Sequence, residues 1–504
     1  MKSDAAPLTV AIAASEIVPL AKTGGLADVT GGLARALARR GHQVALIHPL
    51  YDEVRENCRR RGIELHPAGD EFEVRIGAAA ERGRIWSARL APGVTAYCVS
   101  HRGFFSSRAG LYGEGGRDYP DNPERFVFFC ESALAVLRGL GRRVQILHCH
   151  DWQTGFIPAY LHFRAGEDGF FSRTASVFTI HNLSFQGLFP ASRMPICNLP
   201  WGAYNPAGIE FYGQINPMKA GLVYSTLLTT VSAKYAREIM AEELGCGLEG
   251  VVEARRKDLF PILSGADYGE WNPEKDRMLP ARYGPADLSG KKKCREDLLR
   301  SVGLKAGPST PVVGMVSRIT AQKGFDLFLR AAPRLLEGAP VFVILGQGDG
   351  ELQNGLKELE RAFPQRLRVI LGFDEALAHR IIAGSDFSLL PSRFEPAGLT
   401  QIYSLRYGTI PIVRATGGLD DTIREYQPRA GTGNGFKFAE PTPAALAAKT
   451  AAALRYYRAS PHWERLRGNA FAADFSWDRP VARYEEAYRL ALTKIIHENS
   501  HFHE

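Results

Sequence analysis

Cysteine is scarce in this chain, and it is scattered. Seven occur among 504 residues, an odd number, at positions 58, 98, 130, 149, 197, 246 and 294, never spaced C-x-x-C. That scatter argues against a disulfide framework or a cysteine-built zinc site, and it fits a reducing, cytoplasmic location. Long apolar runs are missing as well. The amino terminus, M-K-S-D-A-A-P, has no extended apolar stretch ahead of a cleavage site, and residues 10–14 are too few to span a bilayer, so no membrane association is expected. Dense basic runs are also lacking, although the net charge is +8. The lysines at 291–293 form the longest basic block outside short Arg pairs and read as a solvated linker, which leaves no nucleic-acid arm. The last eight residues, H-E-N-S-H-F-H-E, hold three histidines and read as a frayed tail, not a metal site.

What is present is an ordinary soluble composition, 45% apolar and 23% charged, over a length that one hydrophobic core rarely organises. Two α/β domains are expected. The first, residues 1–263, opens with a buried strand at 8–14, a turn, a helix over 28–40 and a strand at 44–47, which is a βαβ unit. Residues 51–125 are an elaboration with a strand near 94–99 and a Gly-rich loop from 106 to 123. A helix at 126–137 and strands at 144–147, 177–180 and 227–231 follow. The interdomain region falls between 263 and 310. The second domain, residues 264–476, repeats the alternation with strands at 312–316, 341–345, 367–371, 387–390 and 410–413. A helical pattern over 477–496, carrying Val481, Tyr484 and Tyr488 on one side, docks on the body, packing back on the first domain.

Several strand ends carry chemistry. Gly24 and Gly25 sit in a strand-to-helix turn beside Lys22, which is either a phosphate-approach loop or only a tight turn. Tyr112 is either a mobile aromatic platform or a loop aromatic. At the end of the 144–147 strand, His148 and His150 share a face but lack a third ligand for a metal. Asp151 and Trp152 follow them as a carboxylate and an aromatic toward a sugar, with packing the alternative for the tryptophan. His181 lies just past another buried strand, where catalytic groups sit. Arg318 and Lys323 share one post-strand loop, a fork and a point charge suited to a diphosphate. The G-Q-G-D-G-E string lacks the full spacing of a dinucleotide fingerprint. Phe373 is an aromatic able to stack on a base. Residues 391–422 place Glu395 in a Pro-punctuated loop and the turn Gly417-Gly418 before Leu419, a carboxylate for hydroxyls beside backbone N–H groups for an anion.

Six strings taken together resemble the bacterial glycogen synthase and plant starch synthase family over nearly the whole chain. They are K-T-G-G-L-A-D-V (22–29), H-C-H-D-W-Q (148–153), H-N-L-S-F-Q-G (181–187), V-S-R-I-T-A-Q-K-G (316–324), S-R-F-E-P-A-G-L-T-Q (392–401) and T-G-G-L-D-D-T (416–422). The resemblance implies the GT-B architecture, two facing Rossmann-like domains with an interdomain active-site cleft that closes during turnover. It implies retaining transfer of glucose from ADP-glucose to the 4-hydroxyl at the non-reducing end of an α-1,4-glucan. By position, Arg318 and Lys323 bind the diphosphate, Glu395 holds glucose hydroxyls, and His181 serves the glucose site. Lys22, Gly24, Gly25, Thr400, Gly418 and Leu419 meet the donor phosphates, and Phe373 the adenine. Asp28, Tyr112, Asp151, Trp152 and Ser264 lie on the glucose or acceptor side. No metal or pyridoxal phosphate is implied.

Three departures mark this chain. The family's N-G-[VI]-D is S-G-A-D at 264–267, so Ser264 is expected to make a weaker or water-bridged sugar contact. Ala397 stands where many members have cysteine, so no thiol acts there. Phe373 replaces a common tyrosine and keeps a stacking face without a hydroxyl. Tyr403 occupies the place of a second glutamate found in related transferases, as it does in the glycogen synthase branch. Competing readings are a same-fold enzyme using UDP-glucose or a small oligosaccharide acceptor, and a catalytically silent glucan-binding protein. A pyridoxal-phosphate phosphorylase shares the architecture, but no matching cofactor-lysine motif is present.

Overall fold

The computed structural model describes residues 6–164, 169–338, 340–457 and 461–501. The chain divides into two compact units. One contains the chain up to Val231, Ala236–Gly265, and everything from Trp477 onward; the other contains Ser232–Tyr235 and Ala266–Ser476.

The first unit is built on a ten-stranded sheet. Seven strands run parallel in the order Leu259–Pro261, Leu227–Thr230, Ala175–Ile180, Ile146–His150, Thr9–Ala13, Gln43–Pro49 and Val94–Ser100. Their sequences are short continuous apolar runs because helices cover both faces, and the strand Ala175–Ile180 is buried at every position. Beyond Val94–Ser100 the sheet turns antiparallel through the long strand Ala79–Ala91, which also pairs with Phe72–Ile76 and His66–Pro67. That extension is half solvated, so its alternating charged residues conceal it from a search for apolar runs.

The C-terminal helix Asp478–His501 belongs to this unit. It packs on the strand Ala175–Ile180 and on the helix Gly25–Arg39. Val481, Tyr484 and Tyr488 are buried. Tyr488 Oη lies 2.8 Å from His148 Nδ1, and Glu485 takes Arg40 Nε at 2.7 Å and His42 Nε2 at 2.8 Å. The last three residues of the histidine-containing tail lie outside the described residues. The Trp477 indole lies against Gly32 and Gly265, and a Cβ at Gly32 would come within 2.4 Å of it.

The second unit is a six-stranded parallel sheet, ordered Leu367–Leu371, Val341–Gly346, Val312–Val316, Phe387–Leu390, Ile410–Arg414 and Phe436–Phe438. Numbered along the chain this is 3-2-1-4-5-6, the doubly wound order. The direction of winding reverses between Val312–Val316 and Phe387–Leu390, and ligands bind at such a switch point, beyond the carboxyl ends of the strands. The chain enters at Ala266 and leaves at Ser476, which bridge in parallel, with the Ala266 N–H donating to Phe475 O at 2.8 Å.

The 291–293 lysine block corrects a sequence reading. It lies within the helix Ser289–Ser301, whose period turns Lys292 and Lys293 outward but Lys291 inward. The Lys291 ammonium donates to Ala383 O at 2.9 Å, Tyr407 O at 3.1 Å and Thr409 Oγ1 at 2.8 Å. Burial pulls its pKa down to about 7. It ties together the C-terminal ends of two helices, Glu375–Gly384 and Thr400–Arg406, and is not a linker charge. Lys291→Met should therefore lower stability by about 2–3 kcal/mol, as buried acceptors lose their donor. Equilibrium urea unfolding checks this, and an unshifted midpoint would contradict it.

Candidate functional site

In the second unit, the two loops that flank the switch point bring Lys323 and Glu395 together. Lys323 Nζ lies 2.5 Å from Glu395 Oε2, and Ser392 Oγ donates to the same oxygen at 3.1 Å. Glu395 is buried, as a paired carboxylate can be. The loops are also joined through their backbones, with Arg393 N–H donating to Gln322 O at 2.8 Å. Arg318 is exposed at the start of the same loop as Lys323. Its neighbour Ile319 bridges Gly348, and Gly346 and Gly348 pass within van der Waals range of the Ser317 and Ile319 carbonyls. Gly346 and Gly348 of G-Q-G-D-G-E are therefore explained by packing, and Asp349 caps the helix Gly350–Ala362. Thr400 opens the helix Thr400–Arg406, with its hydroxyl 3.5 Å from Val316 O. Phe373 presents a ring 72% exposed just past the strand Leu367–Leu371. Tyr403 stacks on Trp271 with ring centroids 4.1 Å apart.

The Gly417-Gly418 turn differs from its sequence reading. Gly418 N–H donates to Glu395 O at 3.0 Å, and Leu419 N–H to Thr416 O at 3.1 Å. In this conformation neither amide is open to an anion. A Cβ would stand 2.0 Å from Glu395 O at Gly417 and 1.8 Å from Ala397 O at Gly418. The glycines let this turn press onto the backbone of Glu395 and hold it in place.

In the first unit the sheet also reverses, between Thr9–Ala13 and Ile146–His150. The loop after Thr9–Ala13 is organised by Glu16, which the sequence reading missed. Its buried carboxylate accepts from Thr23 N–H at 2.6 Å, Thr23 Oγ1 at 2.7 Å, Gly24 N–H at 2.9 Å and Tyr112 Oη at 2.8 Å. Gly24 N–H is thus turned inward, and in this conformation that amide is not open to an anion. Outward, a Cβ at Gly24 would meet nothing within 4 Å, and φ there is −155°. Neither packing nor backbone demands a glycine at that position, whereas close approach by a ligand would. Gly25 begins the helix Gly25–Arg39, and Lys22 Nζ pairs with Asp28 Oδ1 at 2.8 Å. Tyr112 is no mobile platform, because Ser15 Oγ at 2.7 Å and Glu16 tie down its hydroxyl.

Asp151 sits at φ +56° past the strand Ile146–His150, and its carboxylate accepts His181 N–H at 2.7 Å. Burial pushes its carboxyl up to about 7, against the pull of the His181 and Asn182 amides. It orients the His181 turn from within. His181 is half-buried, with Nε2 2.8 Å from His150 Nδ1. Trp152 is 9% exposed, edge-on to Phe126 and against Gly187, so most of its ring is taken up by packing. Ser264 is 1% exposed, and its hydroxyl has no partner among the described residues. Among the described residues no group of three or more His, Cys, Asp or Glu side chains is placed to hold a metal ion, and no helix is long and apolar enough to cross a membrane.

A family model of the starch synthase catalytic domain matches residues 9–254, and one of the group 1 glycosyl transferases matches residues 302–470. With two parallel-sheet units, the chain is a glycosyltransferase of the two-domain, GT-B-like class. It is 45% identical over 483 residues to a glycogen synthase of Anaeromyxobacter dehalogenans, covering 96% of this chain and 99% of the relative. It is 43% identical over 484 residues to glycogen synthase 2 of Geobacter sulfurreducens, covering 96% and 99%. The solved catalytic domain of starch synthase IV from Arabidopsis thaliana, bound to ADP and acarbose, superposes with a TM-score of 0.89 at 34% identity, over 97% of this chain and 100% of that one. The chain belongs to the glycogen and starch synthase family.

The Glu16 arrangement gives a direct expectation. Glu16→Ala removes the acceptor shared by Thr23 and Gly24, so their amides should exchange hydrogen about 10- to 100-fold faster, while strand amides keep their protection. Mass-detected hydrogen exchange over residues 16–28 checks this. Unchanged exchange there would mean that Glu16 does not hold the loop.

Proposed function

We propose that this chain transfers glucose from ADP-glucose to the 4-hydroxyl at the non-reducing end of an α-1,4-glucan, with retention at the anomeric carbon and release of ADP. The observation that carries this reading is the partly buried Lys323–Glu395 pair at the switch point, 2.5 Å across, inside the family's own strings. The solved relative that holds ADP and acarbose supports the pairing of a nucleotide with a glucan-like ligand.

Each residue then has a task. Arg318 and Lys323 neutralise the diphosphate, and their attraction grows as the anomeric C–O bond breaks and charge collects on the leaving ADP. Glu395, fixed by Lys323 and Ser392, accepts hydrogen bonds from glucose hydroxyls. His181 offers its ring to a glucose hydroxyl and its carbonyl to the anomeric carbon. Lys22 and the outward side of Gly24-Gly25 serve the donor phosphates, with Asp28 setting the Lys22 side chain. Thr400 contributes a hydroxyl to the same phosphates. The cations already present make an added metal or pyridoxal phosphate unnecessary in this scheme. Phe373 provides the stacking face for the base. Such a face accepts adenine or uracil, so UDP-glucose is the alternative donor.

Glu395→Ala and Lys323→Ala should each lower kcat about 100- to 1,000-fold, the scale of removing one preorganised charge contact. Far-UV circular dichroism and the melting temperature should remain close to those of the parent. Initial rates of ADP release with glycogen as acceptor measure the effect, and parent-like rates in both variants would overturn the assignment.

A further inference from the structure

We propose that His150 is a positioning residue that sets the tautomer of His181, so that His181 carries its ring proton on Nδ1 and offers an N–H donor to the sugar. The proton's place stands on the contacts and burial of the two rings; that the group His181 faces is a sugar rests on the function proposed above. His150 ends the strand Ile146–His150 and is fully buried, and His181 follows the neighbouring strand Ala175–Ile180. The 2.8 Å contact between His150 Nδ1 and His181 Nε2 can contain one proton only, because both rings are neutral. Burial drives both pKa values down, that of His181 to about 3, and each adjoining ring adds to the effect at His150.

Which nitrogen owns that proton follows from the other side of His150. Its Nε2 is buried and has no hydrogen-bond partner among the described residues. The nearest ring, His148, has no nitrogen to spare, since Nδ1 bonds Tyr488 Oη at 2.8 Å and Nε2 bonds Thr179 Oγ1 at 2.6 Å. If His150 held its proton on Nε2, a buried N–H would be orphaned. Placing the proton on Nδ1 leaves only a bare acceptor there, and orphaned acceptors are tolerated more often than orphaned donors. His150 Nδ1–H therefore donates to His181 Nε2. A neutral His181 accepting at Nε2 must be protonated at Nδ1, the nitrogen that no described residue contacts. The His181 backbone N–H is meanwhile held by Asp151 at 2.7 Å, so ring and main chain are fixed by separate partners.

The test uses the full chain labelled with ¹⁵N-histidine and long-range ¹H–¹⁵N correlation spectra, with His181 assigned by the signal lost in His181→Asn. The expected spectrum has a protonated Nδ1 and a bare Nε2 at His181; the reverse tautomer overturns the proposal. In kinetics, His150→Leu should lower kcat about 10-fold, the scale of one lost buried hydrogen bond, with the donor KM changed less than about threefold. His150→Asn, whose amide N–H stands in for Nδ1–H, should recover most of that loss. Parent-like kcat in His150→Leu, or no recovery in a folded His150→Asn, contradicts the proposal. If the leucine variant does not fold, the parent tautomer decides alone. A parent that transfers no glucose refutes the proposed function, while its spectrum still decides the role of His150.

Discussion

A carboxylate buried beside a parallel sheet needs a cation and a hydrogen-bond donor, and the second unit is arranged to supply both to Glu395. Left unpaired in a buried site, such a charge costs several kcal/mol. Lys323 and Ser392 satisfy it at 2.5 and 3.1 Å. Because Lys323 follows one strand of the switch point and Glu395 the other, the pair sets the distance between the two loops. The Gly417-Gly418 turn then closes over the Glu395 backbone, where any Cβ would collide with a carbonyl. Lys323 is thereby held in place by its carboxylate partner, which is the kind of preorganisation that electrostatic catalysis requires.

The first unit uses the same device with the signs arranged differently. Glu16 is the internal acceptor, and backbone and side-chain donors of the K-T-G-G loop close around its carboxyl group together with Tyr112. Asp151 does a related job for His181. In each case a buried carboxylate shapes a loop from inside while the outward face stays open. Residues at the centre of the chemistry and residues that hold them are thus chemically alike, and only burial and partners separate them.

That distinction explains what could be read in the sequence. Strands buried on both faces announce themselves as apolar runs, so 312–316, 367–371 and 387–390 coincide with observed strands. The pairing of Glu395 with Lys323 was not visible, since 72 residues separate them, although both lay in recognised strings. Glu16 was missed because one of its donors, Tyr112, lies 96 residues away and no motif spacing links them. Trp152 was placed toward a ligand by its position at a strand end, but the tight φ of +69° at Gly187 lets a turn cover its ring. Lys291 looked like a surface charge because composition cannot show which side of a helix faces inward. The half-solvated strand Ala79–Ala91 lacked an apolar signature altogether. Family membership was legible from six short strings; the roles within them depend on partners that only the folded chain supplies.

The central claim is that the charged loops at the switch points act on a glucose nucleotide. Incorporation of labelled glucose into glycogen by the purified full-length chain, from ADP-glucose and UDP-glucose in parallel, tests it most directly. The account predicts label in α-1,4-linked glucan with ADP-glucose as the preferred donor. No incorporation from either donor, with a correctly folded protein and an accessible glucan, would contradict it.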